Sequence, residues 1–235
     1  MKTVDRTSAR QRRTGGLAAL YLAAAYLLAM PFFLVVVDYP NVTDPAEKVA
    51  LLATHDGSMH AMHLVTYVVF GIALAVLALS LYQRLKSSAP VVMQVATAVG
   101  LLWAFVLVAS GMVFNAGMAA VVERYASDPA QAASMWQAIE PIAQGLGGSG
   151  GEILGGLWVL LVSYAGLRAS GLPKPLGWLG LTVGLAGILS VIPPMNDLAI
   201  AFGLLQIVWF VWLGIAMLRT GERSERLLVP EVDPA

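Results

Sequence analysis

GGLAALYLAAAYLLAMPFFLVVV, residues 15–37, is the stretch that decides the fold. It contains no Asp, Glu, Lys or Arg, and a helix needs only about 20 apolar residues to cross a hydrocarbon core about 30 Å thick. The segment before it, residues 1–13, is basic, so the two together superficially resemble a secretory signal. The apolar run is too long for a signal core, and no convincing small-residue cleavage site follows it. We therefore read it as an uncleaved first transmembrane helix. Arg12-Arg13 also fits a twin-arginine signal, but the rest of the chain is itself apolar enough to be embedded, which favours a plain basic anchor.

Five further apolar stretches follow, at about 59–82, 91–122, 141–167, 175–191 and 198–218. The expectation is an all-α integral membrane bundle of about six transmembrane helices. Composition agrees: 58% of residues are hydrophobic and 12% charged, with mean hydropathy +0.76, far from what a water-soluble domain needs to cover its surface. The formal net charge is zero, which gives no footprint for a nucleic-acid partner. The chain has no cysteine, so disulfides, thiolate metal sites, iron–sulfur clusters and cysteine nucleophiles are excluded. The third and fourth stretches exceed what a span requires and must tilt, protrude or begin in a segment shielded from lipid.

Lysine and arginine set the expected orientation, because basic residues accumulate in cytoplasmic loops. Lys2, Arg6, Arg10, Arg12, Arg13, Arg84, Lys86, Arg168, Lys174, Arg219, Arg223 and Arg226 fall on one side, and only Lys48 and Arg124 on the other. Twelve against two places both termini in the cytoplasm. The chain then divides into a basic cytoplasmic start (residues 1–14), one six-helix domain (15–219) and a charged, Pro-containing tail (220–235) expected to be disordered. In the outer loops, Asp44-Pro45 and Asp128-Pro129 each read as an N-cap followed by a first-turn proline. They predict two short interfacial helices, the second anchored by Trp136. These pairs lie 84 residues apart, as do Gly16-Leu17 and Gly100-Leu101, a spacing that suggests a parallel repeat of the first two helix pairs. Tyr39, Tyr82 and Tyr164 read as further interface anchors. The last outer connection, residues 193–197, is a tight turn in which Asp197 can cap the sixth helix.

Glu152 stands out, because an ionisable side chain at membrane depth faces a bundle interior or a water-filled cavity. Around it, Gly147, Gly151 and Gly155 recur every four residues, a spacing that lets two membrane helices approach closely. Two readings follow: a packing face with a neutral, hydrogen-bonded Glu152, or a helix start or break that places backbone amides beside a titrating carboxylate. His60 and His63 are three residues apart near the outer end of the second helix, on one face with Tyr67, a spacing that can supply two imidazoles to one metal, with a carboxylate such as Glu152 to complete a zinc site. All three histidines fall within nine consecutive positions, so a bis-histidine haem bridging two helices has no ligands. Asn115, Gln144, Gln206 and Asp197 are expected at similar depth. If they converge with His60, His63 and Glu152, they build a polar pocket in the outer half; otherwise each satisfies its own helix or meets headgroups. The basic side has no phosphate-binding glycine loop, which excludes nucleotide-driven chemistry.

The run GEILGGLWVLL from Gly151, then LPKPLGWLGLTVG, and QIVWFVWLG from Gln206 to Gly214 resembles a bacterial family of six-pass membrane proteins known only as a domain of unknown function. The likeness is best over residues 151–219. It implies a single six-helix domain in a bacterial inner membrane, with no catalytic residues to carry over. The leading expectation is a non-enzymatic protein, with no cofactor, whose outer pocket around Glu152 binds or passes a small solute or protons. An accessory subunit that packs through glycine-rich faces against another copy or another membrane protein comes second. A zinc-dependent membrane hydrolase on His60, His63 and Glu152 comes third.

Overall fold

The computed structural model describes residues 2–148, 152–169 and 172–226, with side chains from residue 10 to residue 219. The apolar runs become helices: α1 (Lys2–Pro31), α2 (Pro45–Thr54), α3 (Asp56–His63), α4 (Phe70–Leu85), α5 (Pro90–Tyr125), α6 (Pro129–Leu146), α7 (Ile153–Arg168), α8 (Lys174–Leu189) and α9 (Leu198–Arg226). Wide turns of π-helix extend α1 through Phe32–Val36 and join α3 to α4 through Leu64–Val69. The first follows from Pro31, whose ring removes a backbone donor; the next turn closes with Val37 N–H bonded to Phe32 O at 2.9 Å.

Four stretches are long and apolar enough to cross a membrane: Arg10–Val36, Asp56–Leu85, Pro90–Tyr125 and Leu198–Arg219. Ile153–Arg168 and Lys174–Leu189 are apolar but shorter, about 24 Å each at 1.5 Å per residue. The described chain is thus an all-α bundle. One expectation fails here. The stretch 141–167 is not one helix: α6 begins at Pro129, runs through Pro141 and stops at Leu146, and α7 starts only at Ile153. The tail 220–235 lies largely outside the described residues, as does Gly151.

Six helices close into a ring, because α1 packs on α4, α4 on α5, α5 on α7, α7 on α8, α8 on α9, and α9 back on α1. Small residues bring the backbones together. A Cβ at Gly184 would lie 2.7 Å from Gly156 O, one at Gly156 would lie 2.7 Å from Gly184 O, and one at Gly16 would lie 3.0 Å from Gly214 O. The ring interior holds a tryptophan chain, with Trp103 and Trp158 centroids 5.8 Å apart and Trp158 and Trp209 also 5.8 Å apart. Arg84, Leu172, Pro173 and Arg219 share one end of the bundle, hereafter the basic end. At that end Tyr82 and Tyr164 lie beneath Lys86 and Arg168.

The opposite end is closed by α2 and α6, which pack on each other. Asp44 caps α2 by accepting from Ala46 N at 2.9 Å and Glu47 N at 3.0 Å, and Asp128 caps α6 by accepting from Gln131 N at 3.0 Å. Beneath these helices sits a second, smaller core that includes Val49, Leu52, Met59, Phe114, Met118 and Trp136. Trp136 is only 1% exposed. It is therefore a core side chain of this cap and not an interfacial anchor, because the amphipathic face of α6 turns onto α2 and α5.

Gly184→Leu is expected to destabilise the bundle by about 1–3 kcal/mol through overpacking against the Gly156 backbone, read as a lowered midpoint in detergent unfolding. Gly203→Ala, whose new Cβ meets nothing within 4 Å, should leave that midpoint unchanged or slightly raised.

Candidate functional site

The glycine-rich joint between α6 and α7 shapes the site. Gly147 caps α6, and its N–H reaches Ala143 O at 3.0 Å. Gly148 then takes φ +99°, a left-handed conformation costly for residues with a Cβ. A Cβ there would lie 2.9 Å from each Glu152 carboxylate oxygen, so the backbone of Gly148 and the carboxylate approach closely. Glu152 sits at the N-cap of α7 without capping it. Its N–H donates to Ser190 Oγ at 3.0 Å, and that hydroxyl donates to Gly187 O at 2.7 Å, which pins the joint to the end of α8. Gly155 belongs to the far side of the break and packs against Trp103 and Phe202. Gly147 and Gly155 therefore serve different helices and do not form one stripe.

The Glu152 carboxylate has no hydrogen-bond or ion-pair partner among the described residues. It lines a cavity of about 190 Å³ with Tyr26, Phe33, Thr66, Tyr67 and Phe70. A second cavity of about 240 Å³ shares Phe33, Tyr67 and Gly147 with the first and adds Tyr39, His63, Phe114, Trp136 and Gln144. Each is smaller than a typical ligand pocket of about 300–1,000 Å³, and the shared side chains form a common wall between them.

His63 is held rigidly in the wall of the second cavity. Its ring stacks on Phe114 at 4.6 Å and on Phe33 at 5.8 Å. Asn115 Nδ2 donates to His60 O at 3.3 Å, which leaves Asn115 Oδ1 as the acceptor facing His63 Nδ1 at 3.2 Å. The proton of a neutral His63 therefore belongs on Nδ1, and Nε2 carries the lone pair.

The candidates do not all converge. His63 and Gln144 line the second cavity and Glu152 the first, while Asn115 lines neither and reaches the site only through its hydrogen bond with His63. His60 is exposed while His63 is 3% exposed, so the expected common face is split between surroundings. No three His, Cys, Asp or Glu side chains approach closely enough to hold a metal among the described residues, so the zinc set His60, His63 and Glu152 is not assembled. Asp197 is exposed in the turn before α9. Gln206 is fully buried and lines neither cavity, with both amide atoms unpaired, as are Ser163 Oγ and Trp209 Nε1.

One cluster was not anticipated. Glu140 on α6 is buried and accepts from Tyr39 Oη at 2.8 Å, from Lys48 Nζ at 2.8 and 3.1 Å, and from Gln144 Nε2 at 2.9 Å; Trp136 Nε1 donates to Tyr39 Oη at 2.9 Å. Tyr39 is thus a member of a buried network and not a headgroup anchor. Burial first, and the Glu140 carboxylate second, hold its phenol well above its ordinary ionisation range. Two sequence signals pointed this way: Lys48 is one of only two basic residues opposite the basic side, and Trp136, Glu140 and Gln144 repeat at four-residue spacing.

Lys48→Met or Glu140→Gln alone should cost about 2–3 kcal/mol, less than the 3–5 kcal/mol of a fully buried pair, because the side chains are 20% and 11% exposed. The double change Lys48→Met with Glu140→Leu should recover most of that loss in the same unfolding assay. Since the Tyr39 phenol ionises more readily in the unfolded chain, its contribution is present below about pH 10 and declines as pH rises above it. Tyr39→Phe is expected to flatten that part of the alkaline stability profile.

Comparison with known proteins places this geometry in a family without an assigned activity. No curated protein and no solved structure matches the chain. The model of one family, described as Domain of unknown function (DUF4386), matches residues 16–216, the ring of six helices with its α2 and α6 cap. The chain is therefore a multi-pass membrane protein of the DUF4386 family.

Proposed function

We propose that this protein is a non-enzymatic six-pass membrane protein of a bacterial inner membrane, with both termini cytoplasmic, that binds a small solute or passes protons by way of the two adjacent cavities. The reading rests on one observation: a carboxylate without a partner among the described residues, Glu152, shares a wall with a cavity that carries His63 and Gln144. An acid at membrane depth left unpaired is costly, and such groups mark ion or proton pathways in membrane proteins; Glu152 is partly exposed to its cavity. Glu140 provides the contrast. It is satisfied by Tyr39, Lys48 and Gln144 and acts as a structural staple.

The six passes follow if α7 and α8, at about 24 Å each, cross a locally thinned bilayer or are lengthened by the joints at their ends. The orientation follows from the twelve basic residues on one side and two on the other. The cavities then lie in the outer half. The break between α6 and α7 is tolerated at that depth because protein surrounds it on the α5 and α8 sides: Ser110 Oγ donates to Ala143 O at 2.7 Å, and Ser190 holds Glu152 N.

Two measurements on purified protein test the reading. A hydrophobic carbodiimide should modify Glu152, found by peptide mass, and leave Glu140 unmodified because Lys48 pairs with it. Vesicles loaded with a pH-sensitive dye should acidify under an imposed gradient, with a rate at least about tenfold lower for Glu152→Gln, the loss typical of removing one proton-transfer group. An unmodified Glu152 at every pH, together with equal rates for both proteins, overturns the proposal.

A further inference from the structure

The cavity beside Glu152 is rich in acceptors and rings and poor in donors. Tyr26, Phe33, Tyr67 and Phe70 bring aromatic rings to its wall, and Glu152 brings a carboxylate without a partner among the described residues. Thr66 gives its hydroxyl hydrogen to Met62 O at 2.8 Å, which leaves its oxygen as an acceptor. Gly147 N–H is spent on Ala143 O. Among the described residues, the side-chain donors left in that wall are the phenols of Tyr26 and Tyr67. The adjacent cavity repeats the pattern. Trp136 gives its N–H to Tyr39 Oη, Tyr39 gives its hydrogen to Glu140, and Gln144 gives Glu140 one of its amide hydrogens. Gln144 Oε1 and His63 Nε2 remain as acceptors. No Lys or Arg lines either cavity among the described residues, and Lys48, which lies over the Tyr39 ring, is paired with Glu140.

Such a wall selects by charge and by hydrogen count. An anion meets an uncompensated carboxylate, and a neutral polyol finds few donors for its oxygens. Calcium or magnesium needs about six or more oxygen ligands, which one carboxylate and one hydroxyl among aromatic rings do not supply. An ammonium group fits both components, because its N–H groups bond carboxylate and hydroxyl oxygens while its charge is attracted to ring faces. We infer that the solute of this site is a small protonated amine, its ammonium on the Glu152 carboxylate and its alkyl part among Tyr26, Phe33, Tyr67 and Phe70, an assignment that rests on Glu152 being the working group proposed above. At about 190 Å³ the cavity is smaller than a drug-sized pocket, so the amine carries only a few carbons. The surface at this end of the bundle favours the arrival of a cation: Asp38, Asp44, Glu47, Asp56, Glu123 and Asp128 are exposed there, against an exposed Arg124.

Equilibrium dialysis of the full chain in detergent against radiolabelled propylammonium reads the site, at about 0.15 M salt so that a Debye length of about 8 Å screens attraction to the surface acids. Saturable binding is expected, weakened at least about tenfold by Glu152→Gln, the scale of a lost hydrogen bond to a charged group. Tyr26→Leu should weaken it roughly two- to fivefold through loss of one ring from the cation–π set. On the unaltered chain, propanol and propionate should not compete. Tetramethylammonium, which has the charge but no N–H, should compete at least about threefold less well than unlabelled propylammonium. Binding that Glu152→Gln leaves unchanged overturns the proposal, as does competition by propanol, propionate or tetramethylammonium equal to that of propylammonium. Absence of saturable binding while a carbodiimide still modifies Glu152 overturns the amine and leaves the working carboxylate standing. Absence of both binding and modification removes the two together.

Discussion

Close contact between helix backbones at glycine is the constraint on which the rest of this structure depends. In a bilayer the lipid tails are as apolar as leucine, so helices are held by packing and not by expulsion from water. Gly156 and Gly184 let α7 and α8 meet backbone to backbone, Gly16 and Gly214 do so for α1 and α9, and Gly71 lets α4 approach Ala104 O on α5. Three of the six contacts in the ring are fixed at these points. Because the glycines face inward, the same surfaces are consumed by the fold and do not present a free glycine face to a partner.

That tight ring also sets where the chain can leave the helix. Unpaired backbone groups are tolerated at membrane depth only where protein or a cavity surrounds them, and the break after Leu146 obeys this rule. Ser110 takes the Ala143 carbonyl, Ser190 takes the Glu152 amide, and Gly148 supplies the left-handed φ that redirects the chain. The cavity beside Glu152 is a direct consequence of the break. Had α6 continued into α7, its side chains would fill the space that Tyr67, Phe33 and Gly147 now border.

The bundle was legible in the sequence because length and apolarity are summed over whole segments, and errors at single residues cancel. Residues 15–37 and 91–122 carry enough such signal that the observed spans Arg10–Val36 and Pro90–Tyr125 differ from them only at their ends. The break inside 141–167 was legible only as one of two readings of the glycines around Glu152. A glycine every four residues fits a continuous packing stripe as well as a helix break, and what separates the two is that Gly147 ends α6 while Gly155 belongs to α7. Trp136 illustrates the same limit: an aromatic near a helix end looks like a headgroup anchor until α2 is placed over it. Glu140 escaped because its partners, Tyr39 and Lys48, are about a hundred residues away in the chain, and charge patterning reports only local pairs.

The two acids on either side of the joint carry opposite physical meanings. Glu140 sits one helical turn before Gln144 and beneath α2, where a lysine, a phenol and an amide all donate to it. Paired in this way, it ties α6 to α2 and to Tyr39 over the end of the ring. Glu152 sits at the start of α7, in a cavity wall that it shares with Tyr26, Phe33, Thr66, Tyr67 and Phe70. A staple would place a cation at such a position, and the fold places a cavity there. Because the network at Glu140 positions α6, and α6 sets the shared wall at Gly147, the paired acid sets the shape of the space that the unpaired acid faces. Stability and the candidate site are thus coupled through a single helix end.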